Sequence, residues 1–120
     1  MRFNLQFTLT VEHDQDVWIQ PLQNQSNPKE RNILTVTTLY DAATMPTKRK
    51  NMQYGHRDLQ YVKPMLAVKP GLCFMPYGQT GFCYRLKAGN YFVLQGFMVP
   101  TQRKYMIRVI GNGVTLNLLE

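Results

Sequence analysis

Apolar and polar residues alternate along the N-terminal part of the chain. From position 2 to position 11 every second residue is apolar, and the apolar positions are Phe3, Leu5, Phe7, Leu9 and Val11. A period of two residues is typical of a β-strand that buries one face. We therefore predict a strand at Arg2–Val11 with its apolar side chains in the core.

Short β-prone segments separated by Gly, Pro, Asn and other polar residues make up most of the remaining chain. Their β-branched and aromatic content predicts further strands. One strand begins at Val17–Ile19, and the others cover 33–40, 59–68, 72–75, 82–86, 90–99, 104–110 and 114–119. Residues 20–31 are predicted to form a loop. Pro64 predicts an edge strand, and Gly96 predicts a β-bulge.

Turn residues predict how some of these strands connect. Gly111–Gly113 lies between two β-branched runs and predicts a tight hairpin, because Asn and Gly tolerate the positive φ of such turns. Pro76–Gly81 predicts a second hairpin, across which Cys73 and Cys83 would face each other as reduced core thiols. Asp41–Met45 predicts one helical turn, capped by Asp41 and ended by Pro46.

The chain of 120 residues is long enough for one domain. No segment keeps a helical apolar period over three turns, and we find no internal repeat. The sequence therefore predicts one mostly β domain, residues 1–120, built as a small antiparallel barrel or sandwich of the OB-like, open Greek-key type. A basic loop at 47–57 is expected to be exposed.

Positive charge is distributed unevenly. Net charge is +7, and six of the seven acids precede Leu59, whereas no acid lies between Leu59 and Leu119. Surface cations without acidic neighbours attract polyanions. This distribution favours an anionic partner, nucleic acid first and an acidic protein second.

Few residues in the sequence are suited to catalysis. We find no nucleotide-binding glycine motif, and the spacing of Cys73 and Cys83 does not match a zinc site. We therefore predict no enzyme activity, cofactor, metal site or small-molecule substrate. One alternative is a metal-independent ribonuclease that uses His13 and His56 as an acid–base pair.

Basic residues interleaved with tyrosines are the remaining pattern. Single-stranded nucleic acid is bound by cations that follow the phosphates and by rings that stack on the bases. The cations expected to contact phosphates are Lys48, Arg49, Lys50, Arg57, Lys63, Arg85 and Lys87. The rings expected to stack are Tyr54, Tyr61, Tyr77 and Tyr84, and Trp18 is suited either to stacking or to the core. This hypothesis requires the cations and rings to share one continuous groove.

The motif Ala88-Gly89-Asn90-Tyr91-Phe92-Val93, followed by further strands to the C-terminus, resembles the last part of the single-stranded-DNA-binding proteins of filamentous phages. The resemblance covers residues 88–119. It implies an open Greek-key barrel that dimerises and coats DNA during phage or viral replication. No contact residue of that family can be placed on a numbered position here.

Three expectations complete the sequence-based hypothesis. We expect a homodimer, because the alternating Arg2–Val11 strand and the edge strand at Pro64 need cover. The absence of a signal-like or membrane-spanning apolar run predicts a cytoplasmic protein (in the host cytoplasm if viral) without membrane contact. The main alternative function is a non-enzymatic accessory or structural protein whose basic half docks on an acidic protein partner.

Overall fold

A computed structural model describes residues 3–23, 35–48, 51–65, 71–74, 80–97 and 105–120. Within these ranges the strands are β1 (Phe3–Val11), β2 (Gln15–Gln23), β3 (Thr35–Asp41), β4 (Gly71–Phe74), β5 (Thr80–Leu86), β6 (Gly89–Phe97), β7 (Tyr105–Ile110) and β8 (Val114–Leu118). A 3-10 turn at Ala42–Thr44 follows β3, and helix α1 at His56–Leu59 precedes β4. No helix in these ranges is long and apolar enough to cross a membrane.

The strands form two four-stranded antiparallel sheets. Sheet A has the order β3-β6-β1-β8, and sheet B has the order β4-β5-β2-β7. This arrangement confirms the mostly β class, and it is open, as in an open Greek-key fold, not closed into a barrel. Strand β1 lies inside sheet A between β6 and β8, so its own edges are already paired.

The main core lies between the two sheets. The apolar face predicted for β1 is confirmed, because Phe7, Leu9 and Val11 are almost fully buried there. Sheet B faces them with the alternate residues of β2 and β5. The other buried members of this core are Val17, Ile19, Leu39, Tyr84, Leu86, Tyr91 and Val93.

Three short connections at one end of the molecule pass from one sheet to the other: 12–14, 87–88 and 111–113. The predicted hairpin at Gly111–Gly113 is therefore wrong, since β7 pairs with β2 and β8 pairs with β1. A type I′ hairpin turn needs positive φ at both central residues, and of these three residues Gly113 alone has it, with φ 67°.

Several local predictions are confirmed. Asp41 caps the 3-10 turn, because its carboxylate accepts a hydrogen bond from the backbone N–H of Ala43 at 3.0 Å. Strands β4 and β5 pair antiparallel, as the second predicted hairpin requires. Residues 75–79 of its turn lie outside the described residues.

Other predictions are corrected. Residues 59–65 form the end of α1 and a turn followed by irregular chain, so the strand predicted there is wrong over that stretch. Gly96 stays in register with Asn4 and with Val36, so β6 has no bulge at that position. Strand β2 continues through Gln23, which shortens the loop predicted from Gln20.

The two cysteines are not directly opposite each other. Cys73 pairs with Gly81, and Cys83 pairs with Gly71. The expectation that Cys73 and Cys83 lie directly opposite each other is therefore wrong, because the strand register is displaced by two residues from that pairing. The Cys83 side chain is buried.

Candidate nucleic-acid interface

The outer face of sheet A is covered by one stretch of chain, residues 45–48 and 51–65, which we call the strap. Its apolar side chains build a second, smaller core on this face. The buried residues are Tyr40, Phe92 and Leu119, and the half-buried residues packed on them are Met45, Tyr54, Leu59, Val62 and Leu94. Sheet A is therefore covered on both faces.

Backbone hydrogen bonds attach the strap to both edges of sheet A. Next to β8, Glu120 N–H donates to Asn51 O at 2.8 Å and Gln53 N–H donates to Glu120 O at 3.1 Å. Next to β3, Met65 N–H donates to Leu39 O at 2.8 Å. The strap thus crosses the whole sheet from the β8 edge to the β3 edge.

Gln6 attaches the middle of the strap to β1. Its side-chain Oε1 accepts from Tyr54 N–H at 2.7 Å, and its Nε2 donates to Tyr54 O at 2.9 Å. The Gln6 side chain is 6% exposed. Sequence reasoning missed this residue, because it placed Gln6 on the face of β1 opposite the core.

Tyr54 is occupied by contacts within the protein. Its ring meets Phe92 edge-on, with centroids 5.0 Å apart, and its hydroxyl donates to Pro46 O at 3.0 Å. The Lys48 ammonium lies 4.4 Å from the centroid of the same ring, within the range of a cation–π interaction. The expectation that Tyr54 stacks on a base is therefore corrected, since its ring is already packed.

Burial shifts the pKa values of both Lys48 and Tyr54. Partial burial lowers the pKa of Lys48, an effect that the Asp58 carboxylate partly opposes. Burial raises the pKa of Tyr54, and Asp58 adds to that increase. Asp58 is held in place by the backbone N–H of Gly55, which donates to its Oδ2 at 2.7 Å.

The strap also carries exposed side chains. Leu59 and Val62 face the second core, whereas Arg57 and Lys63 are exposed. Tyr61 is 88% exposed. Arg57 lies on α1, whereas Tyr61 lies in the turn that follows the helix.

The second group of predicted residues lies on β5 and just after it. Tyr84 is 4% exposed and belongs to the main core. Burial raises the pKa of Tyr84, and a hydrogen bond with Thr37 partly offsets the increase. The expectation that Tyr84 stacks on a base is corrected, because strand alternation turns this ring between the sheets.

Arg85 and Lys87 lie away from the strap. Because Tyr84 and Leu86 face the main core, Arg85 points to the outer face of sheet B. There its guanidinium lies 3.7 Å from the carboxylate of Asp16 in an exposed ion pair. Lys87 is exposed in the connection between β5 and β6, where its carbonyl accepts from the Tyr91 hydroxyl at 2.6 Å.

The structure thus divides the predicted site. Lys48, Arg57, Tyr61 and Lys63 all lie on the strap, outside sheet A, whereas Arg85 lies on the outer face of sheet B. Arg49, Lys50 and Tyr77 lie outside the described residues. Within the described residues, the cations and rings expected to share one continuous groove therefore lie on different faces, with Tyr54 and Tyr84 packed inside the protein.

The remaining candidates are also separated. His13 is exposed in the connection between β1 and β2, and His56 is exposed at the start of α1 on the strap. Trp18 is half-buried on the outer face of sheet B, between the core residues Val17 and Ile19.

No family model, no curated protein and no solved structure matches this chain.

Proposed function

We propose that the protein binds single-stranded nucleic acid, with little sequence preference, through the outer side of the strap. The observation that carries the proposal is Tyr61, a ring that is 88% exposed and has exposed cations on either side in the sequence, Arg57 and Lys63. Burying a tyrosine is favourable, and an exposed ring beside cations is suited to stacking on a base.

The charge of this stretch supports the same partner. Between Thr47 and Met65 the sequence has five cations, Lys48, Arg49, Lys50, Arg57 and Lys63, and one acid, Asp58. If about five phosphates are contacted, a single-strand slope of roughly −0.7 per contact predicts about a hundredfold loss of affinity between about 50 and 200 mM salt.

The attachment of the strap supports binding without a large ordering cost. Gln6, Glu120 and Leu39 already hold the strap backbone, so the described part of this surface is formed before a ligand arrives. Association that needs no ordering of a loop retains more of the contact energy as affinity. A role in phage or viral DNA replication rests on the resemblance of residues 88–119 and belongs to the same proposal.

Binding of a labelled single-stranded oligonucleotide, followed by fluorescence anisotropy at two salt concentrations, tests the proposal. Tyr61→Ala should lose about 1–3 kcal/mol of binding free energy, the usual contribution of one stacked ring. Tyr61→Trp keeps a stacking ring and should bind at least as well as the parent. Met52→Ala changes another exposed apolar residue of the strap and is the matched control.

Three results would contradict the proposal. They are the absence of binding at low salt, affinity that does not depend on salt, and equal affinity of Tyr61→Ala and the parent. Capture of an acidic protein that survives nuclease treatment, together with any of these results, would favour the alternative of a protein partner.

A further inference from the structure

Strand β8 forms one edge of sheet A. Leu119 N–H donates to Gln6 O at 3.0 Å, and Glu12 N–H donates to Gly113 O at 3.0 Å. Antiparallel strands alternate between hydrogen-bonded and non-hydrogen-bonded pairs, so these two bonds assign the odd-numbered residues of β8 to the pairing with β1. The backbone groups of the even-numbered residues therefore point away from the sheet.

These even-numbered residues are Val114, Leu116 and Leu118. The strap bonds to the edge further along the chain, at Glu120. Upstream of Glu120, no backbone hydrogen bond within the described part of the chain reaches this edge. Three N–H groups and three C=O groups are thus directed outward.

Upstream of Glu120, strand β8 has little of the usual protection of an edge, and its one described contact with the strap is a side-chain bond in which Asn117 Nδ2 donates to Asn51 Oδ1 at 3.0 Å. Edge strands are normally protected by a charged residue, a proline, a bulge or a covering segment, and the β8 sequence VTLNL contains neither charge nor proline. Leu118 at its end is 50% exposed. By comparison, edge strand β7 contains Arg108, and edge strand β3 receives a hydrogen bond from Met65 at Leu39.

We propose that β8 pairs antiparallel with β8 of a second copy of this chain, about a two-fold axis at Leu116. Val114 of each copy would lie opposite Leu118 of the other, and the two sheets A would become one continuous sheet. The three residue pairs would exchange about six backbone hydrogen bonds. This inference does not depend on nucleic-acid binding.

Electrostatics favour this edge for contact between two like-charged copies. Each chain has a net charge of +7, and like charges placed face to face across an interface are costly. The β8 pairing places no charged side chain of β8 opposite another. The strand is therefore self-complementary both in its backbone groups and in its lack of charge.

Sedimentation equilibrium of the full chain is the first test. We expect the mass to rise from 14.0 kDa towards twice that value as the concentration increases to about 200 µM, since a small interface is expected to have a Kd between about 1 µM and 1 mM. Leu118→Lys places a cation on the edge and should hold the protein as a monomer. Ala43→Lys adds the same charge at an exposed position after β3, on the other edge of sheet A, and should still dimerise.

Cross-linking tests the register and does not depend on the lysine variant. In the proposed pairing, Thr115 of one copy lies opposite Asn117 of the other as a non-hydrogen-bonded pair, with Cα atoms about 4.5 Å apart. That distance suits a disulfide, and both side chains are exposed. A mixture of Thr115→Cys and Asn117→Cys proteins should form cross-linked dimers faster than either protein alone.

The proposal is overturned if the parent stays monomeric at every concentration, if the two lysine variants dimerise equally, or if mixing the cysteine proteins gives no increase in cross-linking. A monomeric parent would instead favour pairing of the β8 edge with a strand of a different protein.

Discussion

Gln6 is the single residue that attaches the middle of the strap to β1 within the described residues. Its buried amide satisfies both the N–H and the C=O of Tyr54, and leaving buried polar groups without partners costs about 1–3 kcal/mol. We expect Gln6→Ala to lower the free energy of unfolding by about that amount, measured from urea denaturation. Thr10→Ser changes an exposed position of the same strand, keeps the hydroxyl that donates to Asn90 Oδ1 at 3.0 Å, and should stay within about 0.5 kcal/mol of the parent.

An unchanged stability for Gln6→Ala would mean that apolar contacts alone hold the strap. The role of Gln6 was not predictable from local pattern, because its partner Tyr54 is 48 positions away. A usable signal was present in β6, where the continuous apolar run Tyr91–Leu94 is typical of a strand buried on both faces. That run indicates that a covering segment exists, although it does not indicate which segment.

Among the elements, the connection between β7 and β8 depends on Gly113. Its φ of 67° lies in the left-handed region, and an added Cβ would lie 2.6 Å from the Glu12 carboxylate oxygen and 3.1 Å from the Glu12 Cβ. We expect Gly113→Ala to destabilise the protein by about 1–3 kcal/mol, because strain of this kind adds to the steric conflict. Urea denaturation provides the measurement.

Gly55→Ala is the matched control for that change. Gly55 has an ordinary φ of −82°, and the nearest atom to an added Cβ is the flexible end of Asp58, at 3.3 Å. Gly55 is the N-cap of α1, where Gly is preferred over Ala, so Gly55→Ala should cost no more than about 1 kcal/mol and less than Gly113→Ala. Equal destabilisation by both substitutions would contradict the role assigned to the backbone conformation of Gly113.

Sequence patterns predicted the elements better than their partners. The positions of β1, β3 and the Asp41 turn follow from periodicity and capping, which are local. The partners of β7 and β8 do not, because Gly111–Gly113 is held by a side chain from a distant strand: Gln15 accepts from Asn112 N–H at 2.7 Å. Tertiary contacts of this kind override the local preference of an Asn-Gly turn for a hairpin.

At the scale of the whole molecule, the candidate site too could be predicted only in part from the sequence. The candidate cations and rings follow from their order along the sequence. Strand alternation, however, places the Tyr84 ring in the main core and the Arg85 side chain on the outer face of sheet B. Tyr61 lies in the turn after a four-residue helix, an element too short to show an apolar period in the sequence. The class of partner indicated by composition stays a prediction, and the fold determines which of the named side chains are exposed.

Buried tyrosines throughout the molecule predict how stability depends on pH. Burial raises the pKa of Tyr40, Tyr54, Tyr84 and Tyr91, whereas an unfolded tyrosine titrates near about 10. Above that pH the unfolded chain releases protons that the folded protein keeps, so the free energy of unfolding decreases as pH rises towards the folded pKa values. The stabilisation is fully present below about pH 10. Lys48 acts in the opposite direction, because its pKa is lowered.

Tyr40→Phe tests this dependence, since burial is the cause of its raised pKa and the substitution keeps the ring that packs on Phe92 at 5.6 Å. Urea denaturation at about pH 8 and about pH 11, on either side of the tyrosine pKa, should give a smaller loss of stability for the variant than for the parent. The parent should show a clear loss because four phenols contribute with the same sign against one lysine. Equal losses in the two proteins would mean that Tyr40 ionises as readily in the folded chain as in the unfolded one, and the second core on sheet A would then be open to water at that ring.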